Sequence, residues 1–292
     1  VGFALIYLAI QKDYEPALLL PMGFGAILVN LPSSGVLNQM VEGIGESQGI
    51  IQWIFEHPIE ASAALPLLLF IGIGAMIDFG PLLSNPKMLL FGAAAQFGIF
   101  FTMVAAVLLG FDLADAASIG IIGAADGPTS ILVSQVLHSS YVGPIAVAAY
   151  SYMALVPIIQ PFAIKLVTTK KERRIRMPYN PKNVSRTLRI CFPILVTIIA
   201  GFIAPMSVSL VGFLMFGNLL RECGCLDRLS ETAQNTLANL ITLLLGITIS
   251  FSMRADQFVN RNTLIIMGLG IVAFVFDSID CEIFAKLLPL FS

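Results

Sequence analysis

Gly123-Ala124-Ala125-Asp126-Gly127-Pro128-Thr129 stands in the middle of an apolar run from Ala116 to Leu137. A charge at bilayer depth costs about 2.5 kcal/mol or more, so an acid there points to function. The run cannot stay one continuous helix. Pro128 lacks a backbone donor, and it disfavours helical geometry at the residue before it. An unwound, glycine-rich stretch carrying one acid is how membrane proteins build a small-cation site near the midplane. Ionised, Asp126 offers an oxygen to a hard cation, and carbonyls freed by the break supply others. The same group can hold Na⁺ or H⁺ in turn and stay near neutral.

The surroundings set the class. The chain is 57% hydrophobic and 12% charged, with a mean hydropathy of +0.90. That composition predicts an all-α, polytopic membrane protein. A full span needs about 20 apolar residues. Several apolar segments are shorter and carry Gly or Pro, as in Pro21-Met22-Gly23-Phe24-Gly25. The stretch 35–60 is polar enough to lie outside the bilayer or at its interface. Between Lys170 and Arg189 stand eight basic residues and one acid, Glu172. A basic loop between apolar runs reads as cytoplasmic rather than as a nucleic-acid surface. The four cysteines are scattered, and the two histidines, His57 and His138, lie far apart. That spacing predicts no transition-metal cluster. Neither a nucleophile with its base nor a nucleotide loop is present, so any chemistry must come from a partner or a bound cofactor.

The two halves are weakly alike. Phe24-Gly25-Ala26-Ile27-Leu28 resembles Phe216-Gly217-Asn218-Leu219-Leu220, and Leu69–Met76 resembles Leu243–Ser250. Such symmetry with short, broken segments predicts an inverted-repeat architecture with discontinuous helices at mid-membrane. The expected organisation is a first transmembrane repeat over 1–168, a basic cytoplasmic linker over 169–189 and an incomplete second repeat over 190–292. The Gly72-to-Gly246 spacing, carried forward from Asp126, lands just beyond Ser292. The sequence is therefore expected to be part of a longer reading frame.

Further candidates follow from polarity inside apolar helices. Tyr150-Ser151-Tyr152 places three hydroxyls in one helix, with Pro157 and Pro161 predicting a kink after them. Asn218, Asn239 and Thr242 could donate oxygens. Asp78 reads as an interface cap, and Gln96 as a hydrogen-bonding contact between helices. Asp277, Asp280 and Glu282 interrupt an apolar helix and receive no role. The expected cation set is Asp126, Gly127, Thr129, Ser151 and Asn239.

Four stretches carry a family resemblance: Gly72-Ile73-Gly74-Ala75-Met76, Asp78–Leu83, Gly120–Thr129 and Ala148–Pro157. Together with Phe216–Glu222 and Arg228–Thr232, they closely resemble the β subunit of sodium-pumping biotin-dependent decarboxylases. The resemblance runs from about Leu18 to Val275. It implies the membrane subunit of an oxaloacetate, methylmalonyl-CoA, glutaconyl-CoA or malonate decarboxylase pump in the inner (plasma) membrane. An α (carboxyltransferase) subunit would load biotin on a carrier, with a γ subunit and several β copies completing the complex. The β subunit would decarboxylate carboxybiotin, consume a proton and move Na⁺ outward. The resemblance makes Asp126 the Na⁺ and proton residue, with Tyr152 lining the same catalytic site and meeting the substrate. Two departures stand out. The family's second broken segment, a Gly-Ser-Ala-Gly motif, is not found, and Asp277–Glu282 replaces small residues. The competing reading is a standalone secondary transporter, either a cation/proton antiporter or an organic-anion carrier. A third is a chain that inserts without binding Na⁺.

Overall fold

The computed structural model describes residues 1–43, 45–175, 184–258 and 260–287. Positions 176–183 of the basic linker lie outside them. The chain begins with α1 (Gly2–Lys12) and α2 (Pro16–Asn30). A two-stranded antiparallel ribbon follows, β1 (Asn38–Val41) with β2 (Gly45–Gln48). This ribbon, inside the stretch predicted to leave the apolar layer, is the only sheet among the described residues. Next come α3 (Ile50–Ile54), α4 (Ala64–Met76), α5 (Gly80–Ser84), α6 (Leu89–Ala94) and α7 (Gln96–Leu108). They lead to α8 (Leu113–Gly120), α9 (Gly127–Val136) and α10 (Val142–Val167). After the linker stand α11 (Arg186–Ile203), α12 (Val208–Glu222), α13 (Asp227–Thr232), α14 (Ala238–Ile249), α15 (Ala255–Phe258) and α16 (Arg261–Leu287).

Among the described residues, four helical stretches are long and apolar enough to cross a bilayer: Pro86–Leu108, Arg186–Ile203, Asp227–Met253 and Arg261–Leu287. The architecture is an all-α, polytopic membrane fold. The expected kink in α10 is present, with its two halves bent by 72° between Met153 and Ile158. Gln96 departs from expectation: its amide donates to the Gly92 carbonyl, 3.2 Å away, within its own helical stretch. A side chain at i can reach the carbonyl at i−4 at no cost in reach, so it needs no second helix.

The chain forms two compact units, one built from 1–63, 91–173 and 243–292, the other from 64–90 and 174–242. Each unit draws on both halves of the sequence. In the first, α2 packs against 250–253. A Cβ on Gly25 would come within 2.7 Å of the Ile247 carbonyl. In the second, α12 packs against α4. A Cβ on Gly217 would come within 2.9 Å of the Ala75 amide. The two Phe-Gly motifs thus make the same kind of contact: glycine lets one helix backbone touch the helix that carries the other similar stretch. The partners are exchanged between the halves.

The second unit also explains how α4 ends. Its last carbonyls have no partner within the helix. Asn218, only 1% exposed, donates to the Gly74 and Ile77 carbonyls at 3.4 and 3.0 Å. Arg221 donates to the Met76 carbonyl at 2.6 Å, placing a cation at the negative end of the helix.

The core of the first unit forms where α7, α8, α10 and α16 meet. Ala106, Ala116, Ile119, Ile122, Ala148 and Ile266 are all fully buried there. Half of these are alanines, which let backbones approach closely, and the Ile121–Ala124 turn is held between α7 and α16.

Candidate cation site

The predicted break lies where the sequence placed it. α8 ends at Gly120 and tightens into a 3₁₀ turn over Ile121–Ala124. Ala125 then adopts a left-handed conformation at φ 52°. This is a costly geometry for a residue with a Cβ, and it ends the helical run before Asp126. Asp126 is extended at φ −127° and serves as the N-cap of α9, with Pro128 in the first turn. The geometry suits both residues. An aspartate accepts from the otherwise unpaired amides of a first turn, and a proline there lacks only a donor that would be unpaired anyway.

The Asp126 carboxylate is half-buried. It accepts the Thr129 hydroxyl at 2.5 Å and, more weakly, the Thr129 amide at 3.5 Å. The start of α9 adds its positive dipole end, which favours negative charge at this point. Ser130 donates its hydroxyl to the Asp126 carbonyl at 2.8 Å, so that carbonyl is engaged by the helix. The Gly127 amide points to the Met153 sulfur at 3.1 Å. A Cβ on Gly127 would sit 2.7 Å from the ring of Tyr150.

The structure thus gathers Asp126, Gly127 and Thr129 in one turn. It also draws in a residue the sequence did not single out from its neighbours. Tyr150 is 2% exposed, lies within electrostatic reach of Asp126, and has a buried hydroxyl with no partner among the described residues. The hydroxyl of Tyr152 is engaged elsewhere. It donates to the Met267 carbonyl of α16, and its ring lies against Gly270. Ser151, between the two, faces the sulfur of Met22 at 4.0 Å. Asn239 is exposed and belongs to the second unit, so it is not among the residues the first unit gathers around Asp126. The helix period could have flagged the tyrosine difference, since positions two apart face different ways. Which of them faces the break depends on packing.

No cluster of three or more His, Cys, Asp or Glu able to hold a metal ion occurs among the described residues. The donors at Asp126 are oxygens only, a set that suits hard, weakly bound cations. A cavity of about 430 Å³ in the same unit is lined by Glu60, Ser139, Tyr141, Ser252, Asn260 and Thr263 among others, and does not include Asp126.

Comparison with known proteins gives this arrangement a context. Residues 1–292 match the family described as the Na⁺-transporting oxaloacetate decarboxylase beta subunit. The chain belongs to this family. It is 48% identical to the methylmalonyl-CoA decarboxylase subunit beta of Propionigenium modestum, over 94% of this chain and 73% of that protein. It is 46% identical to the glutaconyl-CoA decarboxylase subunit beta of Acidaminococcus fermentans, over 99% and 74%. With the probable oxaloacetate decarboxylase beta chain of Vibrio cholerae it shares 42% identity over 100% and 79%. Matches that divide three ways by substrate show that the β-subunit family is common to several acyl chemistries. The shared part is the membrane subunit of a Na⁺-transporting decarboxylase.

Proposed function

We propose that this chain couples decarboxylation of carboxybiotin, presented by a partner subunit, to proton uptake and outward Na⁺ movement, with Asp126 as the residue that holds the cation. Support comes from one observation above all. In a chain of the Na⁺-transporting β-subunit family, the half-buried acid caps a broken helix and accepts a hydroxyl at 2.5 Å.

Biotin supplies the carboxyl group; this chain's residues manage charge. Releasing CO₂ from an N-carboxylate leaves a nitrogen that must take up one proton, so a proton has to reach the reacting group. Asp126 can give up a proton when Na⁺ replaces it, and the exchange keeps the turn near neutral inside the apolar layer. Thr129 donates to the carboxylate while no cation is bound and can turn its oxygen toward one that is. The unpartnered Tyr150 hydroxyl provides a further oxygen from α10. Tyr152 serves as a positioning residue, tying α10 to α16 through Met267. Its role toward the substrate follows from the family resemblance. The partners proposed are an α carboxyltransferase subunit, a γ subunit and a biotin carrier, around several β copies in the plasma membrane.

Purification of the membrane complex on avidin resin tests the reading. A biotin-bearing partner should co-elute with this chain, and CO₂ release from it should require Na⁺. Solute exchange by the lone chain in liposomes, with no biotinylated partner and no Na⁺-dependent CO₂ release, would favour the secondary-carrier reading instead.

A further inference from the structure

Asp277 lies in the middle of α16, 7% exposed, and among the described residues no side chain is hydrogen-bonded to either carboxylate oxygen; only the Gly98 and Ile99 amides of α7 face it. Its surroundings are unusual. A Cβ placed on Gly98 of α7 would collide with Oδ1, and one placed on Gly123 would lie 2.5 Å from Oδ2. The carboxyl therefore fills the space that two glycines leave open, and one of these is three residues before Asp126. α6 and α7 together run antiparallel to α16: Phe91 of α6 meets Phe284, Gly98 of α7 meets Asp277, and Phe101 stacks on Phe276. That register sets Thr102 level with Ala273, one turn of α16 from Asp277. Thr102 is fully buried, and its hydroxyl has no partner among the described residues.

An ionised carboxylate in this place would be met only by the Gly98 and Ile99 amides in the first turn of α7. The elements packed on α16 are α7, α8, the Ile121–Ala124 turn and α10. α7 and the turn carry no titratable side chain. α8 brings Asp115, which is occupied by Ser139 and Ser140 at 2.7 and 2.9 Å. α10 brings Tyr150, Tyr152 and an exposed Lys165. On α16 itself the neighbours in the next turn are Asp280, Cys281 and Glu282. Lys286, further along, is taken by Glu172 and the Val167 carbonyl. Among the described residues no cation faces the group. A metal ion needs several oxygens at more than 2 Å in every direction, and the glycine contacts leave no such room. A proton needs none. A neutral carboxyl leaves only hydrogen bonds unmade, whereas a bare charge in an apolar core costs far more.

We infer that Asp277 is a second, proton-binding carboxyl of the membrane core, held neutral against Gly98 and Gly123, and that cation binding at the Asp126 break alters its proton occupancy through Gly123. The second half of this inference rests on Asp126 being the cation residue. Gly123 and Asp126 belong to the same interrupted turn, so a shift of that turn on binding Na⁺ moves the wall against which the carboxyl is packed. The Thr102 hydroxyl, a turn away, provides an acceptor for the acid proton once the packing loosens.

Infrared difference spectroscopy on the full chain in lipid nanodiscs tests this, with NaCl as the probe and calorimetric Na⁺ binding measured in parallel. At neutral pH the wild type should show, beside any Asp126 band that Asp126→Asn removes, a second protonated-carboxyl C=O band that shifts in heavy water. The band should vanish in Asp277→Asn and persist in Asp126→Asn. Addition of Na⁺ should change it in the wild type but not in Asp126→Asn. Gly123→Ala, which places a methyl group against Oδ2, should displace or remove the band while the protein stays folded. A wild type without the band, or a band retained in Asp277→Asn, would overturn the assignment. Heat of Na⁺ binding with an unchanged Asp277 band would overturn the coupling. Absence of that heat would instead count against Asp126 as the cation residue and leave the proton site standing.

Discussion

The ring of Tyr150 lies flat against the position where Gly127 would carry a Cβ, so α10 seals one side of the turn that holds Asp126. Its neighbour two residues on points to α16 instead, with the Tyr152 hydroxyl on the Met267 carbonyl.

Removing each hydroxyl should therefore have different effects. Tyr150→Phe should raise the Na⁺ concentration for half-maximal turnover about ten-fold, the effect of losing one oxygen contact worth about 1.4 kcal/mol. Its Tm should be unchanged or higher, because an unpartnered buried hydroxyl disappears. Tyr152→Phe should lower stability by about 1 kcal/mol, as the hydrogen bond to the Met267 carbonyl is lost. Na⁺ titration and thermal melting of both variants decide the matter. Interchanged results would contradict the assignment.

Thr129→Val keeps the shape of the turn and deletes the 2.5 Å bond to Asp126. It also removes the oxygen that Thr129 can turn toward a bound cation, and losing one such contact of about 1.4 kcal/mol is a ten-fold change in affinity. Half-saturating Na⁺ should rise by about ten-fold or more in calorimetry. Thr129→Ser should recover most of the affinity.

The end of α4 depends on Asn218, which satisfies the Gly74 and Ile77 carbonyls. Asn218→Leu should destabilise the protein by about 1–3 kcal/mol, since two carbonyls lose their donor in a buried site. Na⁺ affinity should not change. A melt in detergent compared with Na⁺ titration separates the two effects.

Outside the apolar layer, Glu172 is held well below its ordinary 4.5, at about 2, chiefly by the Thr169 amide and then by Lys286. Lys286 stands 3.0 Å away and ties the end of α16 to this loop. A depressed carboxylate stabilises the fold above its unfolded pKa, and that contribution fades as pH falls through the folded value. The Tm advantage of wild type over Glu172→Gln should therefore be present at neutral pH and shrink between about pH 4.5 and 2. The pair is exposed, so the difference should be small. A Tm gap that widens in acid would contradict the link.

Much of this was legible before any coordinates. The break at Asp126 could be read because Gly127-Pro128 acts locally, through a missing donor and a forbidden helical geometry. The matching of Phe24–Leu28 with Phe216–Leu220 pointed to two equivalent helices. It could not reveal that each packs on a stretch from the opposite half, because partner choice is a long-range property. The same limit separates Tyr150 from Tyr152. They sit about 200° apart around a helix, and only the packing of α10 decides which one meets the break. Asp277 was visible as an acid in an apolar helix, yet its environment comes from Gly98 and Gly123, both more than a hundred residues earlier in the chain. Gln96 misled because a polar side chain inside an apolar run can also be satisfied by its own preceding turn.

The most direct measurement is Na⁺-stimulated CO₂ release by the intact complex carrying Asp126→Asn in this chain, at saturating carboxybiotin and graded Na⁺. Asparagine preserves the size of the N-cap and can still accept from Thr129, but it cannot exchange a proton for Na⁺. Turnover should fall by about a hundred-fold or more and no longer respond to Na⁺, while the complex stays assembled. An ordinary Na⁺ dependence in that variant would contradict the assignment of Asp126.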